Sequence, residues 1–395
     1  MKRTLIVATT SYAGMGPYVV KIVNSFMPID DIFYFFYDYE DNYFKNNIKR
    51  ELHDKSIFYH GANSAKNKLI NLLTNRSPYE NQLLKICVER SIELVHYINS
   101  IPSIRMQRRF ERMGVIVLST VHDLEPHEAK KAWHKMWRQN ILYRRLRVNL
   151  NAAKYIVTNS ILQYKELKAR YKDKEITYHQ FPSLVTKAIA DGGEVPPELK
   201  ETSKPFLLFF GRIEEYKGIA LLYKAFMDSP KLKKDYILVI AGRGELGFER
   251  RSDEEGVIFI NRYIDDSEVA FLYENASAVV YPYISATQSG VLSLAFYFQT
   301  PVVSSSIPFF QSLIEPFKTG VLFEKGNSDD LQRILLSLKH TDFADMKRNQ
   351  KEFYQTHYSD SSLREHLMKI YSMTWSESCL DNLTNGGTQT TSLLD

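Results

Sequence analysis

The chain is predicted to be an α/β protein of two doubly wound, Rossmann-like domains. Three observations lead there. At 395 residues it exceeds what one ordinary core supports. It opens on an apolar strand, a glycine turn and a helical stretch, and that order returns at residues 205–227. Between the halves, residues 187–204 are rich in Gly, Pro, Glu and Lys, the composition of a linker. The expected domains are therefore 1–186 and 205–355, joined by 187–204.

Composition narrows the class. Apolar residues make up 44% of the chain, ordinary for a folded protein. Two cysteines, Cys87 and Cys379, cannot form a disulfide framework, which predicts a reducing compartment. No stretch is long enough to span a bilayer. The apolar run after Lys2 and Arg3 is too short for a signal peptide and reads as a first strand. The formal net charge of +5 is modest, so the placement of charge matters more than its total.

In order, residues 4–9 are a strand, Gly14-Met15-Gly16-Pro17 a turn and residues 19–26 a helix. The G-x-G-x-x-V pattern is either an incomplete dinucleotide fingerprint or a turn that needs glycine angles. Residues 32–37 are a second apolar run. Asp38-Tyr39-Glu40-Asp41 after it suits a solvated loop better than an acidic metal site. Residues 79–91 have helical spacing, 94–99 form a buried strand, 106–113 a basic helix and 115–121 a further strand. That strand ends in His122-Asp123-Leu124-Glu125-Pro126-His127. Ligands of open α/β sheets sit beyond the carboxyl ends of strands. His122 is thus a candidate for proton handling or hydroxyl binding, or a loop histidine bonded to nearby backbone. Zinc lacks a further Cys/His set with ligand spacing, so no metal is expected.

Residues 130–147 interleave Lys131, Lys135 and Arg138 with Trp133 and Trp137. Two tryptophans four residues apart share a helical face. Such a helix suits an anionic membrane surface or an anionic acceptor, or it is a solvated helix whose aromatics pack on their own domain. No nucleic-acid-binding module accompanies it. Residues 153–160 are a strand backed by a helix at 163–171.

The second half begins with a strand at 205–210, then Gly211-Arg212-Ile213-Glu214-Glu215-Tyr216-Lys217-Gly218, then a helix at 220–227. A strand-to-helix junction presents free N–H groups and the positive end of a helix dipole. With Arg212 and Lys217 it favours a phosphate or diphosphate. The strand at 236–241 ends in Gly242-Arg243-Gly244. The strand at 257–260 leads into Asn261-Arg262-Tyr263 and a capped helix at 266–274. The strand at 278–281 runs into a polar turn, Ala286-Thr287-Gln288-Ser289-Gly290, whose Ser289 and Gly290 begin the helix at 292–298. Pro301-Val302-Val303 follows. Helices are expected at 331–338 and 360–375, and a disordered tail at 380–395.

Phe210-Gly211-Arg212 with Lys217-Gly218, Ala241-Gly242-Arg243-Gly244 and the polar turn before Pro301-Val302-Val303 resemble the donor half of retaining GT-B glycosyltransferases of the family 4 type. Gly14-x-Gly16 and the His122-Asp123 loop extend the likeness across nearly the whole chain. The resemblance implies two domains facing across a cleft, with the last helix returning to the first domain. It implies a nucleotide-diphosphate sugar, a UDP- or GDP-sugar, as donor and no cofactor. Arg212 and Lys217 would hold the diphosphate, backbone around Arg262 and Tyr263 would meet the base, and His122 would reach the transferred sugar. Most of the family carries two glutamates eight positions apart before the Pro-Val-Val strand. Here those registers hold Ala286 and Leu294, or Thr287 and Ala295. Thr287, Gln288 and Ser289 are then the polar groups left for the sugar, with Gly16, Arg243 and Gly290 completing the expected donor site. The expected activity is transfer to a glycan or lipid-linked acceptor in surface polysaccharide synthesis, in the cytoplasm at the inner membrane face. A sugar-nucleotide epimerase and a non-catalytic sugar-nucleotide-binding protein are the alternatives.

Overall fold

The computed structural model describes residues 1–11, 15–38, 42–60, 77–122, 124, 133–286 and 289–373, apart from the side chains of 133–139, 142, 316 and 317. Gly14, Asp123, Lys131, Thr287, Gln288 and the tail 380–395 lie outside them, as do the side chains of Trp133, Lys135, Trp137 and Arg138. The described residues divide between two compact units, Met1–Gln180 with Asp360–Asp395, and Phe181–Ser359.

The first unit is built on seven strands: β1 (Thr4–Ala8), β2 (Ile32–Asp38), β3 (Ser56–His60), β4 (Leu94–Tyr97), β5 (Ile116–Val121), β6 (Tyr155–Thr158) and β7 (Glu175–Tyr178). Their order is β3-β2-β1-β4-β5-β6-β7, with every pair parallel. Parallel strands covered by helices read as continuous apolar runs, and all five residues of β1 are buried. The helix Asp360–Ser372 belongs to this unit and packs on the helix Met15–Ser25. Arg364 grips Asp30 through Nε–Oδ2 at 3.0 Å and Nη2–Oδ1 at 2.5 Å, and Lys21 Nζ lies 2.7 Å from Asp360.

The second unit has six parallel strands: β8 (Phe206–Phe210), β9 (Ile237–Ala241), β10 (Val257–Ile260), β11 (Ala276–Tyr281), β12 (Val302–Ser305) and β13 (Val321–Phe323), in the order β10-β9-β8-β11-β12-β13. Both orders reverse direction once, between β1 and β4 and between β8 and β11, the switch points where such sheets bind ligands.

Two expectations need correction. The stretch 187–204 is part of the second unit rather than a linker. Thr186 caps the short helix Lys187–Ala190, which packs on the helix Asp266–Asn275. The Thr186 hydroxyl also donates to Asp266 Oδ2 at 2.8 Å. Its polar side chains find partners along that helix, so its composition reflects capping and pairing. Asp38 is also no solvated carboxylate. It is buried and accepts from the N–H groups of Phe44 (3.2 Å) and Lys45 (3.1 Å), which would otherwise be orphans at the start of the helix Tyr43–Asn47.

Candidate active site

The strands β8, β9 and β10 end level, and their turns are laced together by main chain. Beyond β8, Gly211 N–H donates to Ala241 C=O and Ile213 N–H to Arg243 C=O, both at 3.0 Å. Gly242 N–H donates to Ile260 C=O at 3.0 Å. The Asn261 amide then bonds Gly244 in both senses, at 3.1 and 3.0 Å. Such close approach needs glycine: a Cβ on Gly242 would stand 2.0 Å from Gly211 O, and one on Gly244 2.1 Å from Ile213 O.

Gly211, at φ +133°, sits under Lys217. A Cβ there would stand 2.9 Å from Lys217 Nζ and 3.9 Å from Val291 Cγ1. This places the β8 turn against the start of the helix Val291–Phe298. Gly218, in the left-handed region at φ +67°, turns the chain into the helix Ile219–Met227, and a Cβ would meet Pro282 O at 1.9 Å. Ile284 N–H donates to Tyr216 C=O at 2.7 Å, tying the β8 turn to the turn after β11.

Lys217 is the unusual group in this assembly. It is 7% exposed, and its ammonium makes no hydrogen bond among the described residues. It faces the rings of Tyr283 and Tyr216 at 5.6 and 6.0 Å. Burial lowers its pKa to about 8; Glu214 opposes that shift and Arg212 adds to it. A buried cation without a partner is costly. Arg212 is exposed and pairs with Glu214 at 2.8 Å. Gly290 N-caps the Val291–Phe298 helix with no side-chain cap, and Ser289 precedes it, half-buried. Two cations, a helix start without a side-chain cap and an aromatic wall thus meet around Gly211. That arrangement suits a diphosphate.

The other expected residues separate. Arg243 is exposed, beside the laced turns, and holds them through its carbonyl. The Arg262 side chain is wholly engaged with Glu198 and Glu268, so it is not available to a ligand. Tyr263 is 71% exposed. Position 294 or 295, where the resemblance would put a second glutamate, is buried in the helix Val291–Phe298.

In the first unit, Gly16 is needed for close packing rather than for its angles: a Cβ would stand 2.6 Å from the Tyr43 ring and 2.9 Å from Ser11 O. His122 follows β5 as expected, yet its ring is occupied. Nε2 lies 3.0 Å from Ile98 C=O, so it carries the proton. Nδ1 accepts from Asn159 Nδ2 at 3.2 Å, and Tyr18 packs edge-on at 4.6 Å. Both ring nitrogens thus bond protein groups. Sequence reasoning missed Tyr283 and Tyr216, which wall Lys217, and Asn261, which locks the turns.

Residues 194–355 match a protein-family model described as "Glycosyl transferases group 1". The matched residues lie within the second unit. The curated glycogen synthases of Thermus thermophilus and Thermus caldophilus are 30% identical over 134 residues, which is 32% of this chain and 30% of theirs. The match thus spans under a third of those relatives' length. Among solved structures, the Anabaena protein Alr3699/HepE in complex with UDP has a TM-score of 0.67 at 16% identity, covering 94% of this chain and 100% of that one. Sucrose-phosphate synthase from Thermosynechococcus elongatus has a TM-score of 0.65 at 16% identity, covering 94% and 98%. WaaG, a glycosyltransferase involved in lipopolysaccharide biosynthesis, has a TM-score of 0.60 at 14% identity, covering 93% and 99%. The fold is therefore GT-B, two Rossmann-like units in one chain. Among the described residues no helix is long and apolar enough to cross a membrane, and no cluster of three His, Cys, Asp or Glu side chains could hold a metal.

Proposed function

We propose that this protein is a retaining glycosyltransferase that moves a hexose from a UDP- or GDP-sugar to a glycan or lipid-linked acceptor in surface polysaccharide synthesis. The observation that carries this reading is the buried, unpartnered ammonium of Lys217 above Gly211, next to the start of the helix Val291–Phe298. A diphosphate there satisfies Lys217 and draws Arg212 from Glu214. Both cations then stabilise the charge that develops on the leaving diphosphate as the glycosidic bond breaks. With His122 fully engaged, the leaving phosphate oxygen is the group that takes the acceptor's proton, on the same face. The UDP held by Alr3699/HepE and the name of the matching family model support the donor class.

Lys217→Ala and Arg212→Ala should each lower transfer from a nucleotide-sugar by roughly a hundredfold or more, with the melting temperature little changed. Full activity in both variants would refute the assignment. The basic helix Trp133–Ala152 is read as the membrane- or acceptor-facing element, at the inner face of the membrane. Replacing Lys131, Lys135 and Arg138 by Gln should weaken binding to anionic liposomes, and unchanged binding would favour a merely solvated helix.

A further inference from the structure

We propose that Tyr283 is a positioning residue for the donor diphosphate: its ring supports the buried ammonium of Lys217 while leaving that ammonium's N–H donors unused. This rests on the reading above, that a diphosphate occupies the β8 turn. A lysine only 7% exposed is ordinarily matched by a carboxylate. Here Glu214, whose charge favours the ammonium, pairs instead with Arg212 at 2.8 Å. The Lys217 ammonium lies over the Tyr283 ring, 5.6 Å from its centroid, and over the Tyr216 ring at 6.0 Å. An aromatic face attracts a cation through its quadrupole. A carboxylate in its place would take up N–H donors and repel an incoming anion, and a ring does neither.

The two rings differ in what holds them. Tyr216 is half-buried and rides on the same turn as Lys217. Tyr283 comes from across the switch point, on the turn after β11, and is 2% exposed. Ser305 Oγ donates to its carbonyl at 2.6 Å. Its ring packs edge-on against Tyr281 at 5.9 Å, against Phe310 of the helix Pro308–Phe317 at 5.4 Å and against Tyr216 at 6.1 Å. Its hydroxyl is buried beside Ser289, on the approach to the helix Val291–Phe298. The ring is therefore fixed by β11, β12 and the Pro308–Phe317 helix, and it sets where the ammonium stands relative to that helix start. The charged and titratable groups around the ammonium are Arg212, Glu214 and Tyr216 of its own turn, and Tyr283.

The test follows the charge of Lys217 with and without a ligand. In the ligand-free full chain, carbon NMR of lysines labelled at Cε reads the titration, and Lys217→Arg identifies the signal. Tyr283→Leu should lower the pH at which Lys217 loses its proton by about one unit, because burial then acts without the ring. Calorimetry uses UDP or GDP, whichever the wild type binds more tightly. In Tyr283→Leu the decline of its affinity should begin about one pH unit lower, the nucleotide's own titration being common to every chain compared. Tyr283→Phe keeps the ring and should restore the wild-type titration and affinity profile. In Lys217→Arg, whose charge does not titrate, adding Tyr283→Leu should leave the profile without a decline. Tyr216→Leu should move both readings the same way by less, and it serves if Tyr283→Leu does not fold. An unchanged or raised titration in the leucine variants, an equal effect of Tyr283→Phe, or a titration that moves while the affinity profile stays put would overturn the proposal. A wild-type chain that binds neither UDP nor GDP would instead overturn the donor-site reading, and the ligand-free titration would still judge the ring.

Discussion

The carboxyl edges of the two sheets share a strand order and are finished in opposite ways. In the first unit, side chains bridge the switch point. Asn99 accepts from Thr9 N–H at 2.9 Å and donates to Thr10 C=O at 2.7 Å. His96 is buried between Tyr371 OH (2.7 Å) and Thr120 Oγ1 (2.8 Å), and Gln163 donates to His122 C=O at 2.7 Å. In the second unit the switch point is lined by glycine main chain and one cation without a partner. The same topology therefore makes an edge filled by side chains in one unit and a glycine-lined turn beside a buried cation in the other. Topology locates a site, and the side chains at strand ends decide whether it is used.

The largest expected break in this comparison is acid. Burial lowers the pKa of His96 to about 3 and of His179 to about 4, and His122 adds to both shifts. Both lie below the ordinary histidine value, so the unfolded chain takes up protons that the folded unit refuses. Stability is full above pH 6.5 and falls as pH drops toward 4, by up to about 1.4 kcal/mol per pH unit for each histidine. Hydrogen exchange at pH 5 should open β4–β7 before β8–β12, and simultaneous opening would show that the histidines do not set the difference. Next is Gly211→Ala. The added Cβ would displace Lys217, and a side chain at φ +133° is strained by about 1–3 kcal/mol. UDP affinity should fall at least tenfold by calorimetry while the first unit's exchange rates stay as they were. The smallest effect is alkaline. The Lys217 pKa is near 8, so UDP affinity should be flat below that pH and decline as pH rises through it. In Lys217→Arg, which stays charged, the decline should vanish.

The interior of the fold was legible in the sequence and, β10 apart, its edge strands were not. β1, β5, β8, β9 and β11 are buried apolar runs, and each was placed. β3, β7 and β13 were missed, and all three are edge strands. An edge strand is covered less, so its residues alternate weakly: four of the five in β3 are half-buried and one is exposed. At the candidate site, the glycines with Arg212 and Lys217 could be found because the turn chemistry is local. The Arg262 cluster could not, since Glu198 lies 64 residues from its partner. Nor could the contacts of the His122 ring, which come from Ile98 and Asn159.

The lacing of the β8, β9 and β10 turns has a consequence for how such a protein diversifies. Because main-chain hydrogen bonds hold these turns together, the side chains at 243, 245 and 263 hang from them without supporting them. Substitutions at those three positions should leave the laced turns intact. The glycines at 211, 218, 242 and 244, by contrast, must stay fixed.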